Sequence, residues 1–173
     1  LKPSPFWSNP AYDWSHKDYP NLIPMLAARA AAFVGTWNEY APKGALVPVA
    51  AAGNLAVLAL ARGPAFGFFT LTIIAVLGPS LWDGYMDGWL ALYGAIAALG
   101  VTAWAETGER AALALGAAAL GVALCLKNEG QLLVLTVLPA LAWAVSVRRH
   151  DLRWTDLSLL AAAIPFVLWL TVK

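Results

Sequence analysis

Residues 88–126 read GWLALYGAIAALGVTAWAETGERAALALGAAALGVALCL. Two Ala-, Leu- and Gly-rich runs, 88–105 and 110–126, are parted only by Glu106, Thr107, Gly108 and Glu109, and Arg110 opens the second run. Each run is close to the ~20 residues needed to cross a ~30 Å hydrocarbon layer. No alternation of period two appears, and β-branched residues are few, so strands are the wrong reading. A backbone in lipid must satisfy its own polar groups, and with this composition only helices do so.

The same texture continues in both directions. Runs 44–61, 65–81, 131–147 and 157–172 are also nearly free of charge, separated by Arg62-Gly63-Pro64, by Asp83-Gly84-Tyr85-Met86-Asp87, by Lys127-Asn128-Glu129-Gly130 and by the stretch from Arg148 to Asp156. The sequence thus predicts an all-α fold, a polytopic transmembrane helix bundle of about six spans over 44–173. Run 110–126 is the shortest fit and leaves little room for tilt. Hydrophobic residues make up 61% of the 173 and charged residues 12%, against about 25% charged in soluble domains, so a water-facing surface is excluded. A formal net charge of +1 gives no field to attract nucleic acid. The single cysteine, Cys125, excludes an intramolecular disulfide. Asn54, in mid-span, is expected to hydrogen-bond a neighbouring helix.

Residues 1–43 differ, and form an expected extracytoplasmic segment. Pro3, Pro5, Pro10 and Pro20 mark 1–20 as irregular, without the apolar middle of a signal peptide. The chain opens at Leu1 without Met, as a piece of a longer protein would. Residues 22–34 are apolar but too short to span and hold Pro24 and Arg29, which favours an interfacial helix. With six spans, residues 1–43, the 82–87 loop and the 127–130 loop share one side. The other side collects Arg62, Arg110, Arg148, Arg149 and Arg153, whereas the short loops of the first side hold only Lys127. The positive-inside rule makes the arginine side cytoplasmic, although Lys2, Lys17, Arg29 and Lys43 in the head reduce the contrast. Trp82, Tyr85 and Trp89, and on the other side Trp104, Trp143 and Trp154, fit two aromatic belts.

The outer side therefore gathers Asp13, His16, Lys17, Asp18, Asp83, Asp87, Lys127 and Glu129. Three stretches there carry a resemblance. His16-Lys17-Asp18-Tyr19-Pro20-Asn21-Leu22-Ile23-Pro24, Gly84-Tyr85-Met86-Asp87-Gly88-Trp89-Leu90-Ala91-Leu92-Tyr93 and Leu126-Lys127-Asn128-Glu129-Gly130 look like the H-x-D-Y-P-x-L-x-P, G-Y-x-D-x-x-L-A-L-Y and K-N-E-G stretches of bacterial polytopic glycosyltransferases of the GT-C fold. That group is related to dolichyl-phosphate-mannose protein mannosyltransferases.

The resemblance implies sugar transfer from a polyprenyl-phosphate carrier to a glycan, lipid or protein acceptor outside the membrane. Asp18 and Asp87 are the expected catalytic carboxylates. His16, Lys17, Tyr19, Lys127 and Glu129 are the expected substrate-binding residues, Lys127 facing the lipid phosphate. Such chemistry needs a carboxylate at the acceptor hydroxyl and donors at the departing phosphate. The resemblance also implies a further acid upstream of the Asp-Tyr-Pro stretch, before this sequence begins. A divalent cation is left open, and no metal-ligand spacing appears. High Ala and Gly content points to a bacterial plasma membrane. Bland readings stand beside these: Asp18 and Asp87 as helix caps, His16 as a solvated residue, His150 as one of a basic group set by orientation. The rival classes are a transporter or lipid-carrier flippase bundle, which would hold ionisable residues at mid-membrane, and a non-catalytic scaffold subunit.

Overall fold

A computed structural model of the chain describes residues 22–36, 38, 40–61 and 86–150, with positions 10, 63, 68, 72, 75 and 153. They form helices α1 (Leu22–Val34), α2 (Tyr40–Leu60), α3 (Asp87–Thr107), α4 (Arg110–Leu124) and α5 (Gly130–Arg148). No strand occurs among the described residues, so the all-α expectation is met. Three helices are long and apolar enough to cross a membrane: α2 from Lys43, α3 and α5. The expected span 157–172 lies outside the described residues, and so does 65–81 but for positions 68, 72 and 75. Run 110–126 becomes the 15-residue α4, ~22 Å long and short of a hydrocarbon core. It stops at Leu124 because Cys125 N–H donates to Val122 O at 2.9 Å and Leu126 N–H to Ala123 O at 3.2 Å, tightening the end into a turn. Residues 22–34, expected as an interfacial helix, form α1, which packs against α2.

Local chemistry sets the ends. Asn38 Oδ1 accepts from the Tyr40 and Ala41 N–H groups at 2.9 and 2.8 Å, satisfying two of the orphan donors of α2. Gly108, at φ 75°, closes α3 by donating its N–H to Trp104 O at 2.7 Å, a left-handed position that glycine adopts without strain. The chain then turns at once into α4.

The α3–α4 hairpin is very close. A Cβ on Gly100 would sit 2.6 Å from Ala112 O and 2.7 Å from Gly116 Cα, so backbone meets backbone, as small residues permit where lipid gives no hydrophobic drive. Helix α3 is the hub, packed against α2, α4 and α5. A Cβ on Gly53 would meet Leu92 Cδ2 at 2.8 Å, with Ile96 Cδ1 next. Ala50 clusters with Trp89, and Val57 and Leu60 with Ile96 and Val101. Residue numbers rise together in the two helices, so α2 and α3 run in the same direction. The same holds for α3 and α5, where Gly94 abuts Leu133 and Arg148 reaches Ala105. Helix α4 is the return.

Outward positions are apolar: Leu55 and Leu58 on α2, and Leu132, Leu135, Leu138, Trp143 and Val147 on α5 are exposed. Such faces suit hydrocarbon and not water. The expected interhelical bond from Asn54 is not made by its carbonyl oxygen, which is buried without a partner among the described residues. Its helix neighbours in the α2–α3 seam, Ala50, Gly53 and Val57, carry no polar side chain.

Candidate functional site

Because α4 alone among α2–α5 runs against its neighbours, the start of α3 and the α4–α5 turn come to one end of the bundle. The turn is built of successive i to i−3 bonds: Gly130 N–H to Lys127 O at 2.9 Å, Gln131 N–H to Asn128 O at 3.0 Å and Leu132 N–H to Glu129 O at 3.0 Å. Gly130 is required for space. A Cβ there would overlap the Ala123 carbonyl oxygen, and the residue is not among the glycines with positive φ. The lack of a side chain at Gly130 thus lets α5 start against the last turn of α4.

That placement aims Lys127 across the bundle. Its Nζ donates to Asp87 Oδ1 at 2.9 Å and lies 3.4 Å from Glu129 Oε1. The lysine side chain is only 19% exposed, whereas the Asp87 side chain is 66% exposed. The hydrogen bond to Asp87, helped by the two negative charges and opposed by burial, pushes the Lys127 ammonium above the usual lysine range. Asp87 sits in the first turn of α3, where a negative charge complements the helix dipole. It is not the cap of that helix. Met86 holds the cap position and no side chain caps it, so the bland reading of Asp87 gives way to an ion pair across 40 residues.

Below the ion pair lies an apolar floor. Trp89 is 1% exposed, stacks on Tyr93 with ring centroids 6.5 Å apart, and shares one cluster with Ile23, Ala50 and Leu126. Leu22, Leu26 and Met86 pack against it. All three stretches singled out in the sequence thus meet here, through Leu22 and Ile23, through Met86 and Trp89, and through Leu126.

His16, Lys17, Asp18 and Tyr19 lie outside the described residues, as do Asp13 and Asp83. What is described is the start of α1 at Leu22, four residues after Asp18, in the cluster under Asp87. Among the described residues no group of three or more His, Cys, Asp or Glu side chains is arranged to hold a metal ion. The sequence grouped Asp87, Lys127 and Glu129 on one face but placed Lys127 at the lipid phosphate. The direct partner, Lys127, was legible only as the next charged position on the same side.

At the opposite end, Arg148 Nε donates to Ala105 O at 2.8 Å and its guanidinium lies against Gly108. A residue read from sequence only as an orientation charge therefore also caps the carbonyl end of α3. His150 accepts from Arg149 Nε at 3.1 Å, within the basic group expected there. No family model matches the chain, and no curated protein or solved structure is similar to it.

Proposed function

We propose that this chain is part of a membrane glycosyltransferase of the GT-C kind, moving a sugar from a polyprenyl-phosphate carrier to an acceptor at the extracytoplasmic face. The observation that carries the reading is the meeting of the three motif stretches under one accessible carboxylate. In this reading Asp87 orients or deprotonates the acceptor hydroxyl, and Lys127, 2.9 Å away, holds that carboxylate in place. Glu129, at 3.4 Å, shares the lysine and is the contact Lys127 would loosen to meet the donor phosphate. Asp18, with His16, Lys17 and Tyr19, is the other expected part of the site, four residues ahead of α1 in the sequence.

The parallel run of α2 and α3 supports six spans. The chain leaving Leu60 has to return the length of α3 before it enters at Asp87, and 65–81 is the apolar run available for that crossing. Residues 1–43 and the 127–130 turn then share a side, as the arginine asymmetry also favours.

The test is Asp87→Asn in the full-length protein, followed with a labelled polyprenyl-linked sugar. General-base roles are worth about 10²- to 10⁴-fold, and a loss in that range with normal expression is expected. Wild-type turnover in Asp87→Asn, and equally in Asp18→Asn, would overturn the assignment.

A further inference from the structure

The register between α2 and α3 places the ion pair in depth. Gly53 abuts Leu92, and Asp87 is five residues before Leu92, so Asp87 is level with Pro48. Tyr40 begins α2 eight residues earlier, which puts the first two turns of α2 ~12 Å beyond Asp87 at 1.5 Å per residue. Helix α1 doubles back beside them: its first residues, Leu22 and Ile23, join the cluster of Ala50 and Trp89, and Leu46 and Val49 pack on the same cluster. A helical hairpin therefore stands past the end of α3 next to Lys127 and Asp87.

The outward faces of that hairpin are mostly apolar, with Arg29 on α1 and Lys43 on α2 as their charged positions. Met25, Arg29 and Phe33, spaced four apart on one stripe of α1, all point outward. Phe33 is 94% exposed, Tyr40 85%, and Val34 and Val47 are exposed beside them. Helix α1 has no acidic residue, and Arg29 is its one charge. A hairpin rising into water would turn polar residues outward. A helix face of Met, Ala, Phe and Val with one long cation instead matches the boundary between acyl chains and headgroups, where an arginine reaches lipid phosphate and its neighbours bury in hydrocarbon. Each headgroup layer is roughly 5–8 Å deep, less than the ~12 Å by which the hairpin overtops Asp87.

We infer that the α1–α2 hairpin is immersed in the phospholipid headgroup layer, Arg29 on lipid phosphate, so that the Lys127–Asp87–Glu129 cluster lies at or below the foot of that layer beside a membrane-embedded wall. The inference concerns the same site as the proposed transfer reaction but rests only on helix register and exposed faces, and its test uses no activity. A molecule that reaches the cluster has its head at lipid depth, which favours an amphiphile over a solute from the water phase.

Nitroxide labels report the depth directly. Single cysteines at Phe33, Thr36, Val47 and Asn128, on a Cys125→Ala background of the 173-residue chain in phosphatidylcholine nanodiscs, are compared for collision with oxygen and with a water-soluble nickel chelate. Oxygen should dominate at Phe33 and Val47, and the chelate should be at least several-fold less effective at Asn128 than at the hairpin tip, Thr36. Chelate-dominated collision at Phe33 and Val47, or Asn128 as open to the chelate as Thr36, overturns the inference. Phe33 and Val47 are surface positions, so the labels leave the packing of the bundle in place, and Phe33→Asp should shift the Val47 label toward water.

Discussion

The crossing of α3 and α4 at Gly100 and Gly116 is the point at which a single methyl group should matter most. In Gly100→Ala the new Cβ would lie 2.6 Å from Ala112 O, 2.7 Å from Gly116 Cα and 2.8 Å from Gly116 N, roughly 1 Å inside ordinary contact. All three atoms are backbone, and none can rotate away. Overpacking costs about 1–3 kcal/mol, and rigid neighbours place this site near the top, about 3 kcal/mol. Alanine regains about 1 kcal/mol of helix propensity over glycine, which leaves a net loss near 2 kcal/mol, or about 30-fold in the folded-to-unfolded ratio. Gly44 is the control, since a Cβ there meets nothing within 4 Å; Gly44→Ala should be neutral or stabilising by up to about 1 kcal/mol. Reversible unfolding in mixed detergent micelles, followed by circular dichroism, gives both values. If Gly100→Ala and Gly44→Ala are equally stable, the helices do not meet backbone to backbone and the hairpin is wrongly placed.

Two further outcomes follow from the bundle ends. Lys127→Met should cost only about 0.5–1 kcal/mol, because the carboxylate partner is largely exposed and screened. Since pairing with Asp87 raises the lysine above its usual value of 10.5, the stabilisation is fully present below that value and fades as pH rises through the raised one; unfolding midpoints of wild type and variant measured from pH 7 to 11.5 should therefore converge at the alkaline end, and a constant gap would exclude the ion pair as its source. Arg148→Ala removes a charged hydrogen bond to the end of α3 and should cost about 1.5–3 kcal/mol, with Arg148→Lys recovering part; amide exchange at Gly108 reports the fraying, and unchanged exchange there would refute the cap.

Helix type and the placement of α1, α2, α3 and α5 were legible because apolar runs in lipid leave the backbone one option, and because Arg62, Glu106, Lys127 and Arg148 punctuate them. The length of α4 was not. Cys125 and Leu126 are as apolar as the helix before them, and what ends it is the need to clear room for Gly130 beside Ala123, a contact between segments that no local pattern encodes. The ion pair was half legible. Parity brought Asp87 and Lys127 to one side, but which cation meets which acid depends on α3 and α5 being adjacent and parallel, and that follows from the small-residue seams at Gly94 and Gly100. Arg148 was misjudged in kind: a charge at a helix end satisfies the orientation rule and caps a neighbouring helix with the same side chain.

The pairing also changes how the charge asymmetry bears on orientation. Counted by residue, Lys127 is the one cation in the short loops of the proposed outer side and weakens the contrast with the arginine side. Counted by interaction, it is enclosed by Asp87 at 2.9 Å and Glu129 at 3.4 Å, so this end of α3 and α5 is net acidic. At the other end Arg148 is held by the carbonyl end of α3, where the helix dipole already favours a cation. The two ends of the bundle thus differ in sign more sharply than the sequence count gives. In the proposed transfer reaction the shorter contact, to Asp87 at 2.9 Å, is the one Lys127 keeps, and the longer one, to Glu129 at 3.4 Å, is the one a donor phosphate would loosen first. Lys127 would then serve the donor phosphate and the placing of Asp87 at once, so the proposal expects Lys127→Met to lower turnover as well as donor affinity: if the variant loses donor affinity alone and keeps its turnover at saturating donor, Lys127 is only a phosphate contact.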